Sequence, residues 1–216
     1  MTYTPEHFIS FIETLSSKIC HDLISPIGAV NNGLEILEEL GPDAGPEVID
    51  LISSSAAQAA AKLKAFRLVY GSGGSDNNLK ASDAHEMIED IISADGKIRQ
   101  NWDAHETFGF DDERPNGLAK IITGLLLLAM EGLPKGGEIA ALSGASAGQI
   151  IIKAMGENAA FKGGTLDALS NPQNAPEPDP KTVHAITCIA LCKNYGFDLS
   201  LIQNDDSSIQ IQVIKT

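Results

Sequence analysis

Over the first seventy residues, apolar side chains recur every three or four positions, and that rhythm admits little besides two long helices. Phe8, Ile12, Leu15, Ile19, Leu23, Ile27, Val30, Leu34 and Leu37 keep the spacing, so a first helix is expected from Pro5 to Leu40. At 1.5 Å per residue it would span about 50 Å. Gly41-Pro42-Asp43-Ala44-Gly45-Pro46 breaks it, with Gly just past one helix end and Pro just inside the next. Val48, Ile52, Ala56, Ala59, Leu63, Phe66 and Tyr70 resume the period in a second helix from Glu47 to about Tyr70. So short a loop makes the pair an antiparallel hairpin with one apolar face.

The hairpin has more apolar residues than one face needs. Ile9, Phe11, Cys20, Ile24, Ile49 and Leu51 fall outside the main stripes, and the run from Ser53 to Ala61 is small enough for close backbone approach. Two arrangements would cover the surplus. A second copy about a twofold axis completes a four-helix bundle, or the surplus packs on a second domain of the same chain.

Within the first helix, Lys18-Ile19-Cys20-His21-Asp22-Leu23-Ile24-Ser25-Pro26-Ile27-Gly28 concentrates the chemistry. His21 lies about 200° round the helix from Ile19, away from the stripe, and is presented to a partner. Pro26 deletes one intrahelical hydrogen bond and crowds the Asp22 carbonyl, a cost of about 3 kcal/mol. Either it kinks the helix one turn after His21, or it ends a short helix on which His21 is an ordinary surface residue. An unperturbed imidazole is mostly neutral near neutral pH. Asp22, about 100° round, can accept from one of the His21 ring nitrogens and fix its tautomer. Ser25 lies one turn on, Ile24 and Gly28 share the exposed face, and Asn32 and Glu35 extend it, which suits a docking surface.

Gly71 to Asn78 has the composition of a flexible linker and divides the chain into 1–72 and 79–216. Beyond it a helix is expected from Ser82 to Ser93, with Asp83 and Glu86 as a capping box. Lys97 to Trp102 and Thr107 to Phe110 are strand candidates, and Asn116 would cap a helix from Gly117 to Leu133. Glu138 to Leu142 and Gln149 to Met155 form a strand pair, and the proline-rich stretch from Gly156 to Pro180 reads as a long surface loop. Asp179-Pro180 opens a helix to Tyr195, and Phe197 to Ile202 pairs with Ser208 to Ile214. The class is α+β, with an α/β sandwich following the hairpin: a mostly antiparallel sheet with helices on one face.

A net charge of −14 disfavours nucleic acid and anionic membranes as partners. No apolar run reaches the roughly 18 residues of a membrane span, and the N-terminus lacks the basic region of a signal peptide. Three cysteines without an export signal point to a reducing cytoplasm. His184, Cys188 and Cys192 share one helix face and could ligate zinc, although core packing suits them better.

His-Asp-Leu-x-Ser-Pro resembles the H-box of sensor histidine kinases, and the string from Cys20 to Glu35 resembles more closely the ChpT-type histidine phosphotransferases. The resemblance implies a homodimeric four-helix bundle and a C-terminal domain similar to the kinases' ATP-binding Bergerat fold. It also implies phosphoryl transfer between receiver-domain aspartates through His21, with Asp22 in support. Partners would be response-regulator receivers and the receiver of a hybrid histidine kinase. Mg²⁺ would come with the receiver, so this chain is expected to bind no cofactor or metal.

The kinase nucleotide motifs are altered. Gly124 and Leu128 stand where the family carries asparagines, Ala154 stands where it carries the adenine-binding aspartate, and Thr182-Val183-His184-Ala185 replaces the glycine-rich phosphate loop. A fold kept without nucleotide binding is therefore expected. The rival readings are a non-catalytic adaptor for receivers or kinases, and an ATP-using kinase with a divergent site.

Overall fold

The computed structural model describes residues 5–72, 78–93, 96–110 and 114–216. Helix α1 runs unbroken from Pro5 to Leu40 with Pro26 inside it, which excludes the short-helix alternative. A 3-10 turn, Gly41–Ala44, leads into α2, Pro46–Tyr70. The two helices approach closely at Gly33, where an added Cβ would lie 2.5 Å from the Ile52 side chain. The centre of the expected linker, 73–77, lies outside the described residues.

Helix α3 (Ala81–Ile92) starts earlier than expected. The Asp83 carboxylate accepts from the backbone N–H of Lys80 rather than pairing with Glu86, because Lys80 itself is the N-cap. The strands are β1 (Ile98–Gln100), β2 (Gly137–Ser143), β3 (Gln149–Met155), β4 (Phe197–Asp205) and β5 (Ser208–Lys215). They form one sheet in the order β1-β2-β3-β5-β4. β1 pairs with β2 in parallel, and the other pairs are antiparallel. Thr107 to Phe110 is a turn and not a strand: Phe108 and Gly109 both take positive φ there, which no extended ladder tolerates.

Helix α4 (Leu118–Glu131) is buried on nearly every side. It is opened by Gly117 at φ +75°, where a side chain would strike the Tyr195 ring, so Asn116 does not cap it. The stretch expected as a long loop folds α5 (Gly163–Ser170) and a further 3-10 turn, Pro172–Asn174. Its anchors are Ala168 and Leu169, both buried in the core. Helix α6 (Val183–Asn194) begins later than Asp179-Pro180 implied. The Asp179 carboxylate instead closes a turn by accepting from the N–H groups of Lys181 and Thr182.

The main core lies between the sheet and the helices, with Ile122, Leu125, Leu128, Ile139, Ile152 and Ile211 among its fully buried members. Phe11 of α1 packs against it, so the surplus apolar surface is partly met within the chain. Most of the remainder is not. Ile9, Ile24, Ile49 and Leu51 of the surplus are all more than two-fifths exposed, as are Phe8, Ile12, Ile27, Leu34 and Leu63 of the stripes themselves. No helix among the described residues is long and apolar enough to cross a membrane.

Candidate functional site

Helix α1 carries His21 on the side turned from the chain's own core, with its side chain 88% exposed. Ile24, Ser25, Asn32 and Glu35 are exposed too, and Gly28 has open space where a Cβ would stand. At about 100° per residue these positions fall within one narrow stripe centred on His21. The structure thus brings His21, Ile24, Ser25, Gly28, Asn32 and Glu35 onto one solvent-facing surface, with Asp22 part-buried at its edge. Cys20 is exposed beside it.

Beneath the stripe lies a chain of polar contacts that joins the hairpin to the sheet layer. His21 Nδ1 is 3.2 Å from Asp22 Oδ1. The other carboxylate oxygen of Asp22 accepts from Lys18 Nζ at 3.0 Å, a contact one helical turn long. The same ammonium reaches Glu131 Oε1 on α4 at 2.9 Å. Glu131 Oε1 in turn lies 2.9 Å from Nδ1 of His184 on α6. Because Glu131 is an acceptor, His184 carries its proton on Nδ1. Tyr70 meets the His184 ring edge-on at 5.8 Å.

These partners shift one another. Burial pushes the Lys18 ammonium down, but the Glu131 and Asp22 carboxylates outweigh it and hold the group above its ordinary value. Burial pushes the Glu131 carboxyl up, but bonds and charge from His184 and Lys18 outweigh it and hold the group low. The Tyr70 phenol is driven upward, chiefly by burial. A cavity of about 390 Å³ opens beside this chain, lined by Lys18, Asp22, Lys62 and Lys97 among others.

Pro26 has a local remedy. It cannot donate to the Asp22 carbonyl, and Lys62 Nζ of α2 approaches that oxygen at 3.3 Å. Sequence reading missed Lys62, Glu131 and the polar role of His184. The Lys18–Asp22 spacing was visible in the helix, but nothing local pointed across to α4 and α6.

The positions aligned with kinase nucleotide motifs are packed. Leu128, Ala154, Val183 and Ala185 are fully buried and apolar. A Cβ at Gly124 would stand 3.2 Å from Val69 and 3.3 Å from the Cys188 sulfur, so the glycine serves close helix approach. Cys188 and Cys192 are buried free thiols, both pushed upward by desolvation. Among the described residues no three His, Cys, Asp or Glu side chains gather to hold a metal ion.

Comparison with known proteins agrees with the architecture. A family model described as the histidine phosphotransferase C-terminal domain matches residues 81–207. The protein phosphotransferase ChpT of Brucella abortus (strain 2308) is 35% identical over 127 residues, covering 58% of this chain and 57% of that protein. The chain therefore matches less than two thirds of that relative's length. Among solved structures, that of a bacterial phosphotransferase superposes with a TM-score of 0.75 at 26% identity, covering 99% of this chain and 98% of the other. The Acinetobacter baumannii histidine kinase AdeS gives a TM-score of 0.47 at 10% identity, over 90% and 97% of the two chains.

Proposed function

The chain belongs to the family defined by the histidine phosphotransferase C-terminal domain, and from that membership we propose that it relays phosphoryl groups between receiver-domain aspartates through His21. The observation that carries this reading is the exposed imidazole of His21 with a carboxylate 3.2 Å from one ring nitrogen and the other ring nitrogen turned to solvent.

The chemistry asks little of the chain. An aspartyl phosphate is already activated, and the transition state is loose and in line, so positioning and charge neutralisation suffice. With Nδ1–H donated to Asp22, the Nε2 lone pair attacks phosphorus. The N–P bond forms as the acyl P–O bond breaks, and the receiver recovers its carboxylate. Asp22 stabilises the positive charge that develops on the ring. A second receiver reverses the step and takes the phosphoryl group onto its own aspartate. Mg²⁺ belongs to the receiver in both half-reactions.

Ile24, Ser25, Gly28, Asn32 and Glu35 form the receiver-docking stripe in this reading. We assign dimerisation and phosphotransfer to 1–72 and a supporting role to 79–216, the exposed apolar residues of α1 and α2 favour a homodimeric four-helix bundle, and the three free cysteines suit a reducing cytoplasm. ATP is not required. The buried Leu128 and Ala154 offer no oxygen to Mg²⁺ and no carboxylate to adenine, which supports transfer without autophosphorylation.

The test mixes a receiver phosphorylated on its aspartate with the full-length protein and follows acid-labile, base-stable label. Label on wild type and none on His21→Ala is the expected result. Equal signalling by His21→Ala would replace the reading with a non-catalytic adaptor, and label from ATP alone would replace it with an autokinase.

A further inference from the structure

Asp22 is held from both sides. One carboxylate oxygen faces His21, and the other is fixed by Lys18, whose ammonium is itself shared with Glu131 from the sheet layer. Glu131 is fixed in turn by the buried ring of His184. We infer that Lys18, braced by Glu131 and His184, is a positioning residue that sets the Asp22 carboxylate and through it the reactive tautomer of His21. The C-terminal layer is then part of the phosphotransfer site even though, among the described residues, none of its side chains is hydrogen-bonded to the imidazole.

This rests on the phosphotransfer reading and extends it. Free imidazole favours the proton on Nε2, the nitrogen that must be bare to attack, so an orienting carboxylate has to overcome that preference. Even a part-buried aspartate next to its histidine has several rotamers. Locking one of them needs a second contact, and Lys18 is mostly shielded from solvent, with only 14% of its side chain exposed. Such outer partners act by removing freedom from the group that touches the reacting ring.

The charges around Asp22 fix the sign of each perturbation. On its own helix stand Lys18 and His21, from α2 come Lys62 and Tyr70, and from α4 and α6 come Glu131 and His184. Lys97, just before β1, lines the adjoining cavity. Removing the Lys18 cation leaves the Asp22 charge less compensated, which favours protonated His21. Neutralising Glu131 leaves Lys18 to Asp22 alone and disfavours it.

The experiment records nitrogen shifts of the His21 ring against pH in the full-length protein, alongside transfer rates from a phosphorylated receiver. Wild type is expected to show the Nδ1–H tautomer in excess. Lys18→Met should lose that excess, move the His21 titration and the rate profile to higher pH, and slow transfer about tenfold. Glu131→Gln, isosteric and less disruptive to folding, should move the titration the opposite way. Lys18→Arg should restore the tautomer. Lys64→Met, which cuts the exposed ion pair to Asp90 elsewhere between the layers, should change none of these. An unchanged tautomer and rate profile in Lys18→Met overturns the inference, as does an equal response to Lys64→Met. Failure of wild type to take label sinks the phosphotransfer reading instead, and the ring shifts still decide the positioning role.

Discussion

The ammonium of Lys62 stands 3.3 Å from the backbone carbonyl of Asp22, the acceptor that Pro26, four residues further on, is unable to serve. A proline inside a helix leaves one carbonyl without its intrahelical partner, and α2 supplies the donor from across the hairpin. The carbonyl belongs to Asp22, whose carboxylate lies 3.2 Å from the His21 ring, so the contact steadies the turn that carries both residues.

Lys62→Met should therefore cost stability in a way that depends on Pro26. With proline present the carbonyl loses its donor, at about 1 kcal/mol for a part-buried group. In a Pro26→Ala background the backbone N–H that the substitution restores takes over, and losing Lys62 should cost much less. Chemical unfolding of the four proteins at one fixed concentration measures the coupling. Additive effects would mean that the two residues do not share this acceptor.

His21→Ala removes a side chain that touches little besides Asp22. Its unfolding free energy should stay within about 0.5 kcal/mol of wild type, while phosphoryl acceptance disappears. Asp22→Asn keeps the shape but withdraws the charge that favours the developing imidazolium, and transfer should slow about 10²-fold. Rapid-quench sampling of the labelled protein reads both effects.

The long helical hairpin was legible because its period is sustained over many turns, and Pro26 did not break it once α2 could cover the exposed carbonyl. The surface around His21 was legible for the same reason, since a helix converts sequence spacing into direction. The polar chain to Glu131 and His184 was not. It joins residues 53 apart between α4 and α6, then crosses to α1, and no local pattern encodes that meeting. Asn116 and Asp179-Pro180 misled because good capping chemistry stood one turn or less from where the tertiary packing started each helix.

Glu131 and Lys18 give the junction between the layers a pH window. The Glu131 carboxyl is held low in the fold, so its contribution is present above the ordinary carboxylate value near about pH 4.3 and fades as pH falls through the folded value. The Lys18 ammonium is held high, so its contribution is full below the ordinary lysine value of about 10.4 and is lost as pH rises through the folded one. Hydrogen-exchange protection along α4, taken relative to the intrinsic rate at each pH, should be greatest between these limits and fall outside them. In Glu131→Gln the acid limb of that dependence should vanish.

Leu128→Asn and Ala154→Asp would install the side chains that the kinase resemblance sets at these two positions, and neither should create a nucleotide site. Both positions are fully buried, so each change places a polar group or a charge among apolar neighbours with no partner waiting for it. Leu128→Asn should cost about 3 kcal/mol, combining lost packing with an unpaired amide. Calorimetry with ATP and Mg²⁺ should show no binding to either variant. Binding by the double variant would mean that the pocket persists beneath these two side chains.

Leu34 and Leu63 test what covers the hairpin. Both are well exposed in the single chain, at 43% and 56%, on helices that otherwise meet each other, the C-terminal layer and, on the His21 side of α1, solvent. Apolar side chains along two long helices are stable in water when a matching surface meets them, and an isologous partner presents the same residues in return. A glutamate on such a face meets its own symmetry mate or an apolar neighbour, and desolvating it opposes association. Leu34→Glu combined with Leu63→Glu should therefore shift the sedimenting species from twice the chain mass of 22.8 kDa to the chain mass itself. His21 should remain able to accept phosphate in that monomer at a reduced rate, because the Asp22, Lys18 and Glu131 contacts all lie within one chain. A wild-type protein that sediments as a monomer would leave the apolar face to a different partner.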